Sequence, residues 1–141
     1  MELYTIGYGN REFATIVNIL KLNGIKQVYD VRRKNTGARL RCFLPSQLCN
    51  ELPTQYNIGY TDEHRLGNKF TNYPLQESLK KYKDWLGSNE GDAIIEDIEF
   101  NIRQETGSVV FLCAEKDAAK CHRKIVAEEV ARRLGYTVVH L

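Results

Sequence analysis

Ser108-Val109-Val110-Phe111-Leu112-Cys113 runs straight into Ala114-Glu115-Lys116-Asp117. The first six residues are almost wholly apolar, with no polar alternation after Ser108, the pattern of a strand buried on both faces. The next four are polar and read as a loop. Residues 120–134 then carry Ala127, Val130, Ala131 and Leu134 at helical spacing, which puts them on one inner stripe. Gly135 ends that helix, and Tyr136-Thr137-Val138-Val139-His140 reads as another strand. A buried strand, a helix and a second strand in succession form the unit of a parallel sheet.

The same alternation extends toward the N-terminus. Leu3-Tyr4-Thr5-Ile6 is a short extended run closed by Gly7-Tyr8-Gly9. Asn10 is the expected cap of a helix over residues 11–23, whose Phe13, Ile16, Val17 and Leu20 share one face. Gly24 ends it, and residues 27–31 read as the second strand. Residues 33–45 read as a basic loop broken by Gly37 and Pro45, and Ser46 as the cap of a short helix through Leu52. Residues 56–61 suggest a strand, while 62–74 show turn chemistry without periodicity. Helices are expected over residues 75–86 and again after Gly91, where Ile94, Ile98 and Ile102 lie four apart. Glu128/Arg132 and Glu129/Arg133 are spaced for helical ion pairs. The expectation is a single α/β domain over residues 1–141, with a mostly parallel five-stranded sheet between two layers of helices.

Composition agrees with a soluble globular chain. Of 141 residues, 43% are hydrophobic and 27% charged, and the formal net charge is +2. These values exclude a disordered or collagen-like chain. No apolar run approaches the roughly 20 residues of a membrane span. Met1-Glu2-Leu3-Tyr4 lacks the basic and apolar regions of a secretory signal, so a cytoplasmic chain is expected. The four cysteines, at 42, 49, 113 and 121, are then expected as free thiols.

In open α/β sheets, ligands bind beyond the carboxyl ends of the strands. On this chain that edge collects Gly7-Tyr8-Gly9-Asn10, Asp30, Arg32, His64, Arg65, Cys113, Glu115 and His140. Cys121, His122 and Arg123 fall at the start of the helix that follows Cys113, where free N–H groups favour anions and thiolates. Cys113 and Cys121 are candidate nucleophiles, with Glu115 and His122 as acid and base. Arg32 and Arg123 are candidate anion ligands, with Tyr8 and Asp30 beside them. Against this, Cys113 could simply finish a core strand, and Arg123 could pair with Glu115 or Asp30 to hold the loop.

Nine residues separate Cys113 from Arg123, with no glycine among them, so a cysteine-phosphatase loop is absent. A metal could draw on Cys113, Cys121 and His122. The adjacent Cys121-His122 pair is awkward for one tetrahedral ion and no fourth ligand is evident. No metal and no cofactor are therefore expected. Arg32, Arg33, Lys34, Arg39 and Arg41, with Phe43, Tyr56, Tyr60 and Tyr73 nearby, could contact a nucleic acid. The sequence pI of about 8.3 falls short of the basic signature of such domains.

Tyr4-Thr5-Ile6-Gly7-Tyr8, Asp30-Val31-Arg32, Leu66-Gly67 and above all Cys113-Ala114-Glu115…Cys121-His122-Arg123 resemble the domain of unknown function 488 family. The resemblance implies a compact prokaryotic α/β protein without an established activity. It marks Asp30, Arg32, Cys113, Glu115, Cys121, His122 and Arg123. The chain departs from the family's pattern at Gly9, at Asn35-Thr36-Gly37 and at Asn68.

The functional expectation is binding or processing of an anionic, phosphate-bearing substrate, a nucleotide or nucleic acid among them, by a hydrolase or transferase. The alternatives are a non-catalytic nucleic-acid-binding module and a thiol-redox protein using Cys113 and Cys121.

Overall fold

The structure, a computed structural model, describes residues 1–33 and 41–141. Lys34, Gly37, Arg39 and the Asn35-Thr36-Gly37 step of the basic loop lie outside the described residues. The strands are β1 (Glu2–Gly7), β2 (Ile25–Asp30), β3 (Gly59–Asp62), β4 (Ser108–Cys113) and β5 (Thr137–His140). The helices are α1 (Phe13–Leu22), α2 (Pro45–Tyr56), α3 (Leu75–Leu86), α4 (Asn89–Arg103) and α5 (His122–Leu134). All strand pairings are parallel, in the order β3-β2-β4-β1-β5.

That order explains the near-continuous apolar run of β4. It is the central strand, flanked by β1 and β2, and Val109 to Cys113 are all buried. Its alternating side chains feed two cores. Val109, Phe111 and Cys113 face one side with Leu3, Tyr29 and the inner faces of α3, α4 and α5. Val110 and Leu112 face the other with Ile6, Val28, α1 and α2. The period-two geometry of the strand thus builds the expected three layers from one segment.

Several boundaries differ from the sequence reading, each for a local reason. The helix expected over residues 11–23 begins at Phe13, because Tyr8 to Arg11 form a turn in which Arg11 N donates to the Tyr8 carbonyl. Asn10 therefore lies before the helix and does not cap it. In α2 the cap position is Leu44 rather than the expected Ser46, with Pro45 opening the first turn, and the helix runs on past Pro53 to Tyr56, capped by Asn57 at φ 55°. The weak strand expected over 56–61 is Gly59–Asp62. The fourth helix starts before Gly91, capped by the Ser88 hydroxyl, which accepts from Gly91 N at 3.3 Å. Residues 118–120 form a separate 3-10 turn capped by Asp117, so α5 begins at His122 rather than at 120. On α5, Glu129 pairs with both Arg132 and Arg133 while Glu128 takes Lys124, so the expected Glu128/Arg132 pair is not formed.

At the carboxyl edge of the sheet, Gly7 and Gly67 are required by close approach. A Cβ on Gly7 would lie 1.8 Å from the Glu115 carbonyl oxygen, and one on Gly67 2.1 Å from Arg33 Cα. Both positions pack backbone against backbone at the carboxyl edge of the sheet.

Candidate functional site

The hydrogen-bond ladders continue beyond the strand ends and gather three segments around the tip of β4. Tyr8 N donates to the Cys113 carbonyl at 3.1 Å and Gly9 N to the Ala114 carbonyl at 2.8 Å. From the other side, Val31 N donates to the Leu112 carbonyl at 3.0 Å. Cys113 is thereby held between the ends of β1 and β2, on the floor of a cleft of about 700 Å³. The cleft is walled by Tyr8, Arg32, Arg33, Asn68, Tyr73 and Lys120, among others, and reaches Cys113, Cys121 and His122.

The loop after β4 returns to this floor. Cys121 is extended, at φ −133° and ψ 142°, and His122 opens α5. That change of backbone direction lets adjacent side chains converge, contrary to the awkwardness expected of the pair. His122 Nδ1 lies 3.7 Å from Cys121 Sγ and 4.0 Å from Cys113 Sγ. Its Nε2 lies 2.8 Å from the Val31 carbonyl. A carbonyl only accepts, so Nε2 carries a proton and Nδ1 is the ring nitrogen that faces the two sulfurs. Tyr82 packs edge-on against the imidazole at 5.0 Å and fixes its plane.

The two thiols are inequivalent. Cys113 is held below the usual thiol range, first by the hydrogen bond from the Cys121 thiol. Burial opposes this, while the N–H groups of Ala114 and Glu115 and the charge of Arg123 add to it. Cys121, as the donor to Cys113 and itself buried, is pushed up to about 12. Of the two thiols, Cys113 is therefore the more readily ionised.

Asp30 and Arg32 form a second buried unit. Asp30 accepts Arg32 Nε at 2.8 Å, Arg32 Nη2 at 2.6 Å and the Tyr60 hydroxyl at 2.6 Å. Arg32 Nη2 also donates to the Phe43 carbonyl, and Nη1 donates to the Tyr8 hydroxyl at 3.0 Å. Tyr8 is stacked on Phe43 with ring centres 4.1 Å apart. Burial by itself would lower the pKa of Arg32, but the bonds and charge of Asp30 prevail and raise it. Asp30 thus orients Arg32, which lines the cleft.

Of the residues singled out in the sequence, Tyr8, Arg32, Cys113, Glu115, Cys121 and His122 line the cleft, and Asp30 lies directly behind Arg32. Glu115 is exposed, and its Oε1 accepts from Asp117 N at 3.3 Å. Arg123 is placed elsewhere. It is fully buried and donates to Thr5 Oγ1 and to the Glu115 and Lys116 carbonyls. Its bonds go to Thr5 and the loop backbone rather than to the Glu115 or Asp30 carboxylate, and it is not among the residues lining the cleft. Arg65 pairs with Glu63 and Asp97, and His140 bonds Thr5 Oγ1 at 2.6 Å, so neither joins the site. Asn68, Thr71, Tyr73, Ser78 and Lys120 line the cleft without having been singled out as site residues, except that Tyr73 was read as a stacking candidate. The sequence signal for Asn68, Thr71 and Tyr73 is the aperiodic, turn-rich segment between β3 and α3, whereas Ser78 lies within α3 and Lys120 in the turn before α5.

Among the described residues, no helix is long and apolar enough to cross a membrane. No curated protein and no solved structure matches the chain. The family described as "Domain of unknown function DUF488" matches residues 12–130. That span holds Asp30-Val31-Arg32, Leu66-Gly67 and the whole Cys113–Arg123 block, while Tyr4 to Tyr8 precede it. With most of its length and the centre of its cleft inside the match, the chain belongs to the DUF488 family.

Proposed function

We propose that the protein is an enzyme of the hydrolase or transferase type acting on a small anionic substrate at the carboxyl edge of the sheet. One observation carries the reading: a cleft of about 700 Å³ that joins the Cys113–Cys121–His122 cluster to the cationic side chains of Arg32, Arg33 and Lys120. The volume lies in the range of small-molecule sites, and a phosphate monoester such as a nucleotide fits it. Arg32 is the oriented donor, fixed by Asp30 and Tyr8. Arg33 and Lys120 are exposed and supply charge at the rim. Tyr73 offers an aromatic face beside them.

Calorimetric titration of the reduced protein with a nucleoside monophosphate and with the uncharged nucleoside tests this. The monophosphate binds and the nucleoside binds far more weakly. Lys120→Gln and Arg33→Gln, both at exposed positions, each weaken the monophosphate several-fold without changing thermal stability. If no phosphate monoester or inorganic phosphate binds, or if the two variants bind as well as the parent, the reading fails.

The closeness of Cys113 and Cys121 supports a second reading, a reversible thiol switch. Hydrogen peroxide would take two electrons and two protons from the pair, giving a disulfide and water. Intact-mass spectrometry would then show a loss of about two daltons, reversed by dithiothreitol. A protein without that loss is no such switch.

A further inference from the structure

We infer that Cys113, Cys121 and His122 form a binding site for one zinc-class divalent cation, with its fourth coordination position open to the cleft. The inference stands on these three side chains and does not depend on which anion the cleft accepts.

Their ligand atoms, two Sγ and one Nδ1, all lie within 4.8 Å of one another, and all three residues are buried. Tetrahedral zinc with Zn–S of about 2.3 Å and Zn–N of about 2.0–2.1 Å sets S···N edges of about 3.5–3.6 Å. The two S···N distances here are 3.7 and 4.0 Å. Both are therefore within about 0.5 Å of the ligated geometry.

The surroundings are those of a metal ligand set. A ligating histidine ordinarily donates its other ring N–H to a carbonyl or carboxylate, which fixes the tautomer and the ring. His122 does this with the Val31 carbonyl at 2.8 Å. Two thiolates and one imidazole favour zinc over the hard cations, which prefer oxygen. Two thiolates also neutralise the ion's two charges, so the filled site adds no net charge beside buried Arg123.

The missing fourth ligand, which argued against a metal in the sequence, has a different meaning here. Among the described residues no Asp, Glu, His or Cys joins the three. All three line the cleft, so the open position faces the space where a substrate would lie. A closed structural site has four protein ligands, whereas three ligands and an open position are the arrangement of a catalytic zinc.

Cobalt(II) titration of the reduced protein under anaerobic conditions tests the site, in a Cys42→Ser/Cys49→Ser background that removes the more exposed thiols. The expected result is saturation at one equivalent, with tetrahedral d–d bands and thiolate-to-cobalt charge transfer, reversed by zinc. Cys113→Ser and Cys121→Ser should each remove about half of the charge-transfer intensity. His122→Gln should weaken zinc on the order of tenfold or more. An absent one-equivalent transition, or a spectrum unchanged in the Cys113→Ser/Cys121→Ser double variant, overturns the inference. Should the serine variants fold poorly, X-ray absorption of the zinc-loaded Cys42→Ser/Cys49→Ser protein decides. Two sulfur neighbours and one imidazole support the site, and a shell of oxygen and nitrogen alone overturns it. Failure of metal binding leaves the monophosphate titration unaffected, so the two proposals fail separately.

Discussion

Replacing Arg123 by methionine separates a structural guanidinium from an anion ligand. The side chain is fully buried and its three recorded acceptors are Thr5 Oγ1 and the carbonyls of Glu115 and Lys116. Methionine roughly conserves the stem and removes every donor. A hydrogen bond to a charged group contributes about 1.5–3 kcal/mol, and a buried group left unsatisfied costs about 1–3 kcal/mol. Three such bonds would sum to more than the protein loses, for two reasons. Glu115 and Lys116 are exposed residues, so water can reach their carbonyls once the loop shifts. Removing a buried cation also relieves its own desolvation penalty. The balance is a loss of about 2–4 kcal/mol. With a urea m-value of about 2 kcal/mol/M, the midpoint should fall by roughly 1–2 M. Urea unfolding followed by circular dichroism reads the shift, and amide exchange should show the loop between β4 and α5 losing protection. A midpoint within about 0.3 M of the parent, together with lost monophosphate binding, would refute the reasoning and make Arg123 a ligand-binding residue.

Gly7→Ala should destabilise by about 1–3 kcal/mol or more, because the added Cβ meets the Glu115 carbonyl oxygen at 1.8 Å; thermal unfolding and amide exchange of residues 114–117 check it. Asp30→Asn leaves Arg32 buried without its counter-charge and should cost about 3–5 kcal/mol, measured by urea unfolding, with Tyr60→Phe costing much less. His140 has its pKa lowered, first by burial and then by the charges of Arg123 and Lys124, with Glu128 opposing. The unfolded chain therefore takes up a proton near pH 6.5 that the native state declines, so stability is lost as pH falls from about 6.5 through the lower native value. His140→Gln should flatten that part of the urea-midpoint profile, and an unchanged slope would show that His140 does not cause it.

Much of this architecture is legible in local pattern. The apolar run of β4, the helical stripe of α5 and the glycine after Leu134 give βαβ directly, and the observed strand Ser108–Cys113 and helix Leu75–Leu86 coincide with the sequence reading. Where boundaries moved, a turn or proline intervened, as at Arg11 and Pro45. The cluster of Cys113, Cys121 and His122 was also visible as candidate chemistry. Its geometry was not, because adjacency in sequence says nothing about the extended Cys121 that turns the two side chains together.

The sequence by itself determined the alternation of strands and helices and put Cys113 at a strand end, since both follow from periodicity within a few residues. Only the tertiary structure decided the strand order, which inserts β4 between β1 and β2. That insertion brings the Val31 carbonyl to His122, 91 positions away, and Thr5 to Arg123, 118 positions away. The first contact turns Nδ1 of the histidine toward two sulfurs, and the second ties the buried Arg123 guanidinium to β1. Hydrogen bonds across such separations depend on how the sheet is assembled, and no local spacing of residues encodes them.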